Sequence, residues 1–321
     1  MDELKSQEIQ QSLPKRKPRH KKVLFIIALL IIIAIAFLLA VPHLIIKDMV
    51  NMHVNSNKIY LPEDFGIIGE KVLLVTEDNL KIASYKVEAE NPRGVVIFLS
   101  GIHNPSVTAF YGHAKILQEN GFGSILVEMR AHGESEGNVI CLGYKEYLDV
   151  KAAVLHIEND YGDIPIIVYG LSMGGAAAIN SIGEIEGIDG LISMSAYSSF
   201  EDVFYESMIN MGLPIIYVKV QKPFVKLYNA FKFGFKTIGI NPISEIKKLG
   251  NRPALIMHSK GDSEVSFSNF ERIMDNAPKH VESFVRTGDN HFIVKDEEDF
   301  LNPQADKEYS KCVLDFLNKN F

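Results

Sequence analysis

The chain has 321 residues, 47% hydrophobic and 23% charged, with a formal net charge of −7 and only two cysteines. That composition is globular rather than disordered, and it excludes a disulfide-stapled scaffold, a zinc ribbon and a CxxC redox site. The net negative charge argues against general nucleic-acid binding. It also hides an asymmetry, because residues 1–22 hold seven Lys/Arg against three Asp/Glu while the other 299 residues stand at −11.

Val23 to Val41 is a run of nineteen apolar residues without charge, Gly or Pro. At about 1.5 Å per residue such a helix nearly matches a hydrocarbon core of roughly 30 Å. A cleaved signal peptide would have an apolar region of only about 7–15 residues, and a cut after Ala34-Ile35-Ala36 would leave an apolar new terminus. An uncleaved anchor is the better reading. The basic cluster Lys15 to Lys22 abuts it, which by the positive-inside rule keeps the N-terminus in the cytoplasm. The expected organisation is a cytoplasmic tail (1–22), a single-pass cell-membrane anchor (23–46), a stalk (47–65) and an extracytoplasmic body (66–321).

Short apolar runs with turn punctuation follow from Glu70. Lys71 to Thr76 and Leu80 to Val87 flank Glu77-Asp78-Asn79, a hairpin pattern. Val95 to Leu99 is wholly apolar and mostly β-branched, as in a strand buried on both faces. The pattern then predicts helix over Phe110 to Glu119, strand over Ser124 to Met129, helix over Tyr144 to Asn159 and strand over Ile164 to Tyr169. Helix over Gly174 to Ile182 and strands over Ile188 to Met194, Ala254 to His258 and Val281 to Arg286 complete it. Strand–helix alternation of this kind predicts an α/β class with a mostly parallel sheet between helices. Residues 197–250 are too long for a connection and read as an inserted cap.

Gly170-Leu171-Ser172-Met173-Gly174 is a G-x-S-x-G turn between an apolar strand and the small-residue stretch Ala176-Ala177-Ala178. A serine hydroxyl there needs a base, and the base needs an orienting carboxylate. Asp262 and His291 each follow a predicted strand, in the order acid then histidine. Asp202 is the reserve candidate for the acid. Two N–H donors for a tetrahedral oxyanion are expected from the Met173 backbone and from Ser100 to His103, with Ile102 favoured. His103 is a candidate for the pocket wall. Neither a metal nor another cofactor is expected.

These motifs resemble the α/β-hydrolase superfamily of serine hydrolases, nearest to its lysophospholipase and monoacylglycerol-lipase-like branch. Glu128 to Ser135 is similar to that family's D-x-R-G-H-G-x-S, and His258 to Val265 to its H-G-x-x-D-x-x-V. Asn241-Pro242-Ile243 leading to Pro253 resembles the link that returns the cap to the sheet. Ser100 stands where the family has His before the oxyanion loop, and Glu128 and Ala131 replace Asp and Gly in the second motif. The resemblance implies an α/β-hydrolase fold and a membrane-anchored serine esterase cleaving carboxylic esters, with lipid or lysophospholipid acyl esters among the substrates.

Two alternatives stay open: a serine peptidase of the prolyl-oligopeptidase-like group, and a non-catalytic surface protein on the same fold. Cys141 and Cys312 are a conceivable disulfide pair. Ser207 to Ser244 contains no Asp or Glu but five lysines (219, 222, 226, 232 and 236) and six aromatics, which points to contact between the cap and anionic lipid. In sequence the five lysines do not fall on one clean helical face.

Overall fold

The computed structural model describes residues 19–103 and 105–321, so the basic tail lies outside it up to residue 18. The chain enters as helix α1 (Arg19–Val50) and continues through strands β1 (Glu70–Val75), β2 (Lys81–Val87) and β3 (Gly94–Leu99). Next come α2 (Tyr111–Glu119), β4 (Phe122–Val127), α3 (Tyr147–Tyr161), β5 (Ile166–Leu171), α4 (Met173–Glu184) and β6 (Gly190–Met194). The insertion carries α5 (Phe200–Asn210), α6 (Ile215–Phe233) and the short α7 (Pro242–Glu245). The chain closes with β7 (Ala254–Ser259), α8 (Ser268–Asn276), β8 (Glu282–Arg286) and α9 (Lys307–Asn320).

The strands form one sheet in the order β1-β2-β4-β3-β5-β6-β7-β8, with β1, β2 and β4 joined antiparallel and every other pair parallel. All six residues of β3, β4 and β5 are buried, because helices cover both faces of the sheet. In β3 the side chains alternate: Val95, Ile97 and Leu99 join one core, Val96 and Phe98 the other. Each such side chain removed from water contributes roughly 1.5–3 kcal/mol. Cys141 belongs to the first core and Cys312 packs against the second, so the sheet separates them and both are free thiols.

The elements follow the expected alternation, with boundaries shifted by up to three residues, as at β4, α3 and β5, and one larger difference. β4 begins and ends two residues earlier than the composition predicts, since Gly121 turns the chain at φ 80° and Glu128 leaves the strand to accept the Glu134 amide at 2.7 Å. The larger difference concerns the stalk. Ile46 and Val50 are fully buried, Val54 exchanges backbone hydrogen bonds with Ala131 and Gly133 at 2.8 Å, and the Ile140 amide donates to the Val50 carbonyl. The start of the stretch expected as a stalk is thus docked on the body, because its apolar residues fill the first core. Residues 21–37 of α1, by contrast, stand exposed. Lys21 to Val50 is long and apolar enough to cross a membrane.

Candidate active site

Ser172 follows β5 at φ 56°, ψ −117°, a left-handed conformation that costs a non-glycine residue of order 1–3 kcal/mol. Its amide donates to the Met194 carbonyl at 2.8 Å, and its carbonyl accepts the Ala176 amide at 3.0 Å, so the turn is pinned between β6 and α4. Both motif glycines are required by close approach. A Cβ on Gly170 would lie 2.0 Å from the Gly174 carbonyl oxygen, and one on Gly174 would lie 2.4 Å from the Ser100 oxygen. That second contact presses the start of α4 against the loop after β3. Met173 supplies one of the first amides of α4, which have no acceptor within their own helix and concentrate positive partial charge.

Asp262 and His291 meet across the ends of β7 and β8. His291 Nδ1 donates to Asp262 Oδ2 at 2.7 Å, and the Asp262 Oδ1 accepts the Glu264 and Val265 amides at 2.9 and 3.0 Å. Burial pushes the Asp262 carboxyl up, but the hydrogen bond and charge of His291, the Val265 amide and the nearby His258 outweigh it, leaving the carboxyl below its ordinary value. Nε2 of His291 lies 4.0 Å from the exposed Glu264 carboxylate.

Two further residues hold this pair in place, Ser195, which no sequence motif marked, and His258, the first residue of the motif that carries Asp262. Ser195, directly after β6, donates from Oγ to the His291 carbonyl. His258 sits 2.8 Å from the Val265 carbonyl, closing the loop that carries Asp262. Ser195 (φ 52°) and the buried Ile293 (φ 66°) share the left-handed conformation of Ser172. A β-branched residue there is a genuine outlier, and strain of this kind clusters where a site is pre-organised.

Asp202 is not brought to His291. It forms the first turn of α5, where its Oδ2 accepts the hydroxyls of Ser198 and Ser199 at 2.8 and 2.7 Å, and it pairs with Lys222 of α6. Burial raises its pKa, yet Lys222 and the two serines prevail and hold it below its ordinary 3.8. A carboxyl depressed in the folded state stabilises above its unfolded pKa and loses that contribution as pH falls through the lower folded value. Asp202→Asn should therefore be less stable than the parent at neutral pH, with the difference shrinking below about pH 4. Urea unfolding across that range measures it.

Ile102 is half-buried, and His103 is exposed beside it. The His132 ring lies between two carbonyls, Nδ1 2.9 Å from Arg130 O and Nε2 2.8 Å from Ile102 O. The loop after β3 is thus tied to the turn at 128–135, which is itself fixed by Arg130. That guanidinium grips the buried Asp149 at 2.8 Å and Asp78 of the hairpin turn at 2.8 Å.

Residues 90–229 match the family described as serine aminopeptidase, S33 (Hydrolase_4). The Pyrococcus furiosus esterase Pf2001 superposes with a TM-score of 0.64 at 22% identity, covering 83% of this chain and 98% of that one. This is the α/β-hydrolase fold. The uncharacterized protein YqkD of Bacillus subtilis is 22% identical over 93% of this chain and 97% of its own length. The uncharacterized membrane protein YNL320W of Saccharomyces cerevisiae is 26% identical over 46% of this chain. The match spans about half of the yeast protein, 52%.

Within this hydrolase fold the departures noted in the sequence have local accounts. Ala131 stands at φ 61°, so a methyl group is carried where glycine would be free of strain. A Cβ on Gly133, which stands at φ 52°, would lie 2.1 Å from the Glu128 carboxylate and require that side chain to move. Glu128 therefore fills the space that closes the turn.

Proposed function

We propose that the chain is a serine hydrolase of carboxylic esters, anchored in the cell membrane by α1 with its N-terminus cytoplasmic and its body outside. The observation that carries this reading is the His291–Asp262 hydrogen bond at the ends of β8 and β7, three and two strands along from the strained Ser172 turn after β5. Ser172 Oγ attacks the ester carbonyl carbon while its proton passes to His291 Nε2, and Asp262 stabilises the imidazolium through Nδ1–H. The Met173 and Ile102 amides receive the oxyanion. Collapse breaks the bond to the alcohol, which leaves with the His291 proton. Water then attacks the acyl-enzyme, with His291 as base, releasing the acid and restoring Ser172. The exposed anchor beside the body favours acyl esters drawn from the lipid phase, lysophospholipids among them.

The family match also supports a peptidase reading, in which the same acyl-enzyme forms from an amide. Treatment of the full chain with a fluorophosphonate, followed by peptide mapping, should place the adduct on Ser172. Acyl esters should then be turned over in preference to aminoacyl anilides. The reverse preference would favour the peptidase. A folded chain that takes no label would leave only the non-catalytic reading.

A further inference from the structure

Helix α6 of the cap presents an apolar stripe to the exterior. Ile216, Val220, Leu227 and Phe231 recur at helical spacing on one face, with Ile216 81% and Phe231 67% exposed. Phe235, just past the helix end, is 59% exposed and packs its ring against Phe231 at 5.1 Å. Large side chains held in water along a whole helix mark an interaction surface rather than ordinary surface scatter.

The neighbouring face of α6 carries charge. Lys219, Lys222 and Lys226 lie three and four residues apart, so three of the five cap lysines do share a face once the helical register is known. They rim a cavity of about 450 Å³. On the other side of the stripe stands α1: the rings of Tyr228 and His43 meet at 5.9 Å, and Lys232 bonds Asn51. His43 follows the apolar run ending at Val41 by two residues. The ring contact at His43 therefore lies where that run leaves the hydrocarbon for the headgroups, and the Asn51 contact, ten residues past the run, lies farther out.

We infer that α6 is a second membrane contact, its apolar stripe seated in the bilayer that α1 spans and Lys219 and Lys226 on anionic headgroups, Lys222 being paired with Asp202. An interfacial helix combines these features, an apolar face bordered by basic residues with aromatics at the boundary. Anchor, apolar stripe and lysines follow one another around the same helix, and the acid-free stretch from Ser207 to Ser244 removes the repulsion an anionic surface would otherwise meet. The cap is then held against the lipid, not merely tethered near it. The inference rests on the anchor reading, and the experiment separates the two.

Full-length chains carrying Cys312→Ser and one spin-labelled cysteine at Leu30, Ile216, Phe231 or Ile68 are reconstituted in vesicles. One set contains equal parts phosphatidylglycerol and phosphatidylcholine, the other phosphatidylcholine alone. Collisions with oxygen and with a water-soluble nickel chelate report the depth of each label. In anionic vesicles the labels at Leu30, Ile216 and Phe231 should favour oxygen, and Ile68, 87% exposed on the body, should favour nickel. Lys219→Gln with Lys226→Gln should raise nickel access at Phe231 several-fold, with a smaller change in phosphatidylcholine. Nickel access at Ile216 and Phe231 equal to that at Ile68, with Leu30 in lipid, overturns the cap contact and leaves the anchor. Leu30 itself open to nickel overturns both. Shielding of Phe231 that appears only with spin–spin broadening between labels would assign the stripe to a second copy and overturn the lipid contact.

Discussion

Asp262→Asn should leave the protein folded and lower turnover by about 10⁴-fold. The carboxylate has two tasks, each on its own oxygen. Oδ1 takes the amides of Glu264 and Val265, and Oδ2 takes Nδ1–H of His291. An asparagine keeps the first task with its carbonyl oxygen, which leaves its NH₂ facing His291. That group donates, so Nδ1 must become the acceptor and the ring proton moves to Nε2. Nε2 then has no lone pair to receive the proton of Ser172. The loss should fall on kcat rather than KM, with the urea midpoint changed little. Asp202→Asn is the control, since that carboxylate ties α5 to α6 and should cost stability rather than chemistry. Full turnover in Asp262→Asn, measured beside a crippled Asp202→Asn, would move the acid to Asp202.

Gly174→Ala should damage fold and activity together. The added methyl would lie 2.4 Å from the Ser100 oxygen and 2.5 Å from the Leu99 oxygen, both backbone atoms at the end of a fully buried strand. No rotamer relieves a contact between a Cβ and a carbonyl, so α4 and the loop after β3 must separate. Overpacking of a tight core costs typically about 1–3 kcal/mol, and a backbone clash belongs at the upper end. On the proposed mechanism the same separation would draw the Ile102 amide away from that of Met173. Losing one oxyanion donor lowers turnover by about 10²–10³-fold. Thermal unfolding and ester turnover of the same preparation test both effects. A variant as stable and as active as the parent would show that the approach of α4 to this loop is not what organises the site.

The parts of the site that were legible in sequence are local or ordered along the chain. The Ser172 turn is a run of five residues whose glycines, preceding strand and following helix are all contiguous. Asp262 and His291 were readable because each sits within a few residues of an apolar strand end, and parallel strands bring such ends to one edge of the sheet. Ser195 carried no comparable signal, and His132 stood in a recognised motif that did not reveal its bond to the Ile102 carbonyl. Each acts on a carbonyl far away in the chain, and any residue offers a carbonyl.

The chain alone determined the sheet-and-helix class, the insertion before β7 and the strand–turn–helix at Ser172, because apolar periodicity and glycine placement act over a few residues. Only the tertiary structure decided that residues 47–54 are docked rather than free, since Ile46, Val50 and Val54 are buried by partners some eighty residues later. It alone excluded a Cys141–Cys312 bond, which depends on which side of the sheet each helix and loop covers. A last case is α6 itself, which runs unbroken from Ile215 to Phe233 and so groups Lys219, Lys222 and Lys226 on one face. Pro223 stands inside that helix, and an internal proline argues in sequence for a break, whereas here packing against α1 and α5 carries the helix through it. Long-range burial overrules local propensity wherever the free energy of the packed face exceeds the cost of the residue that interrupts it.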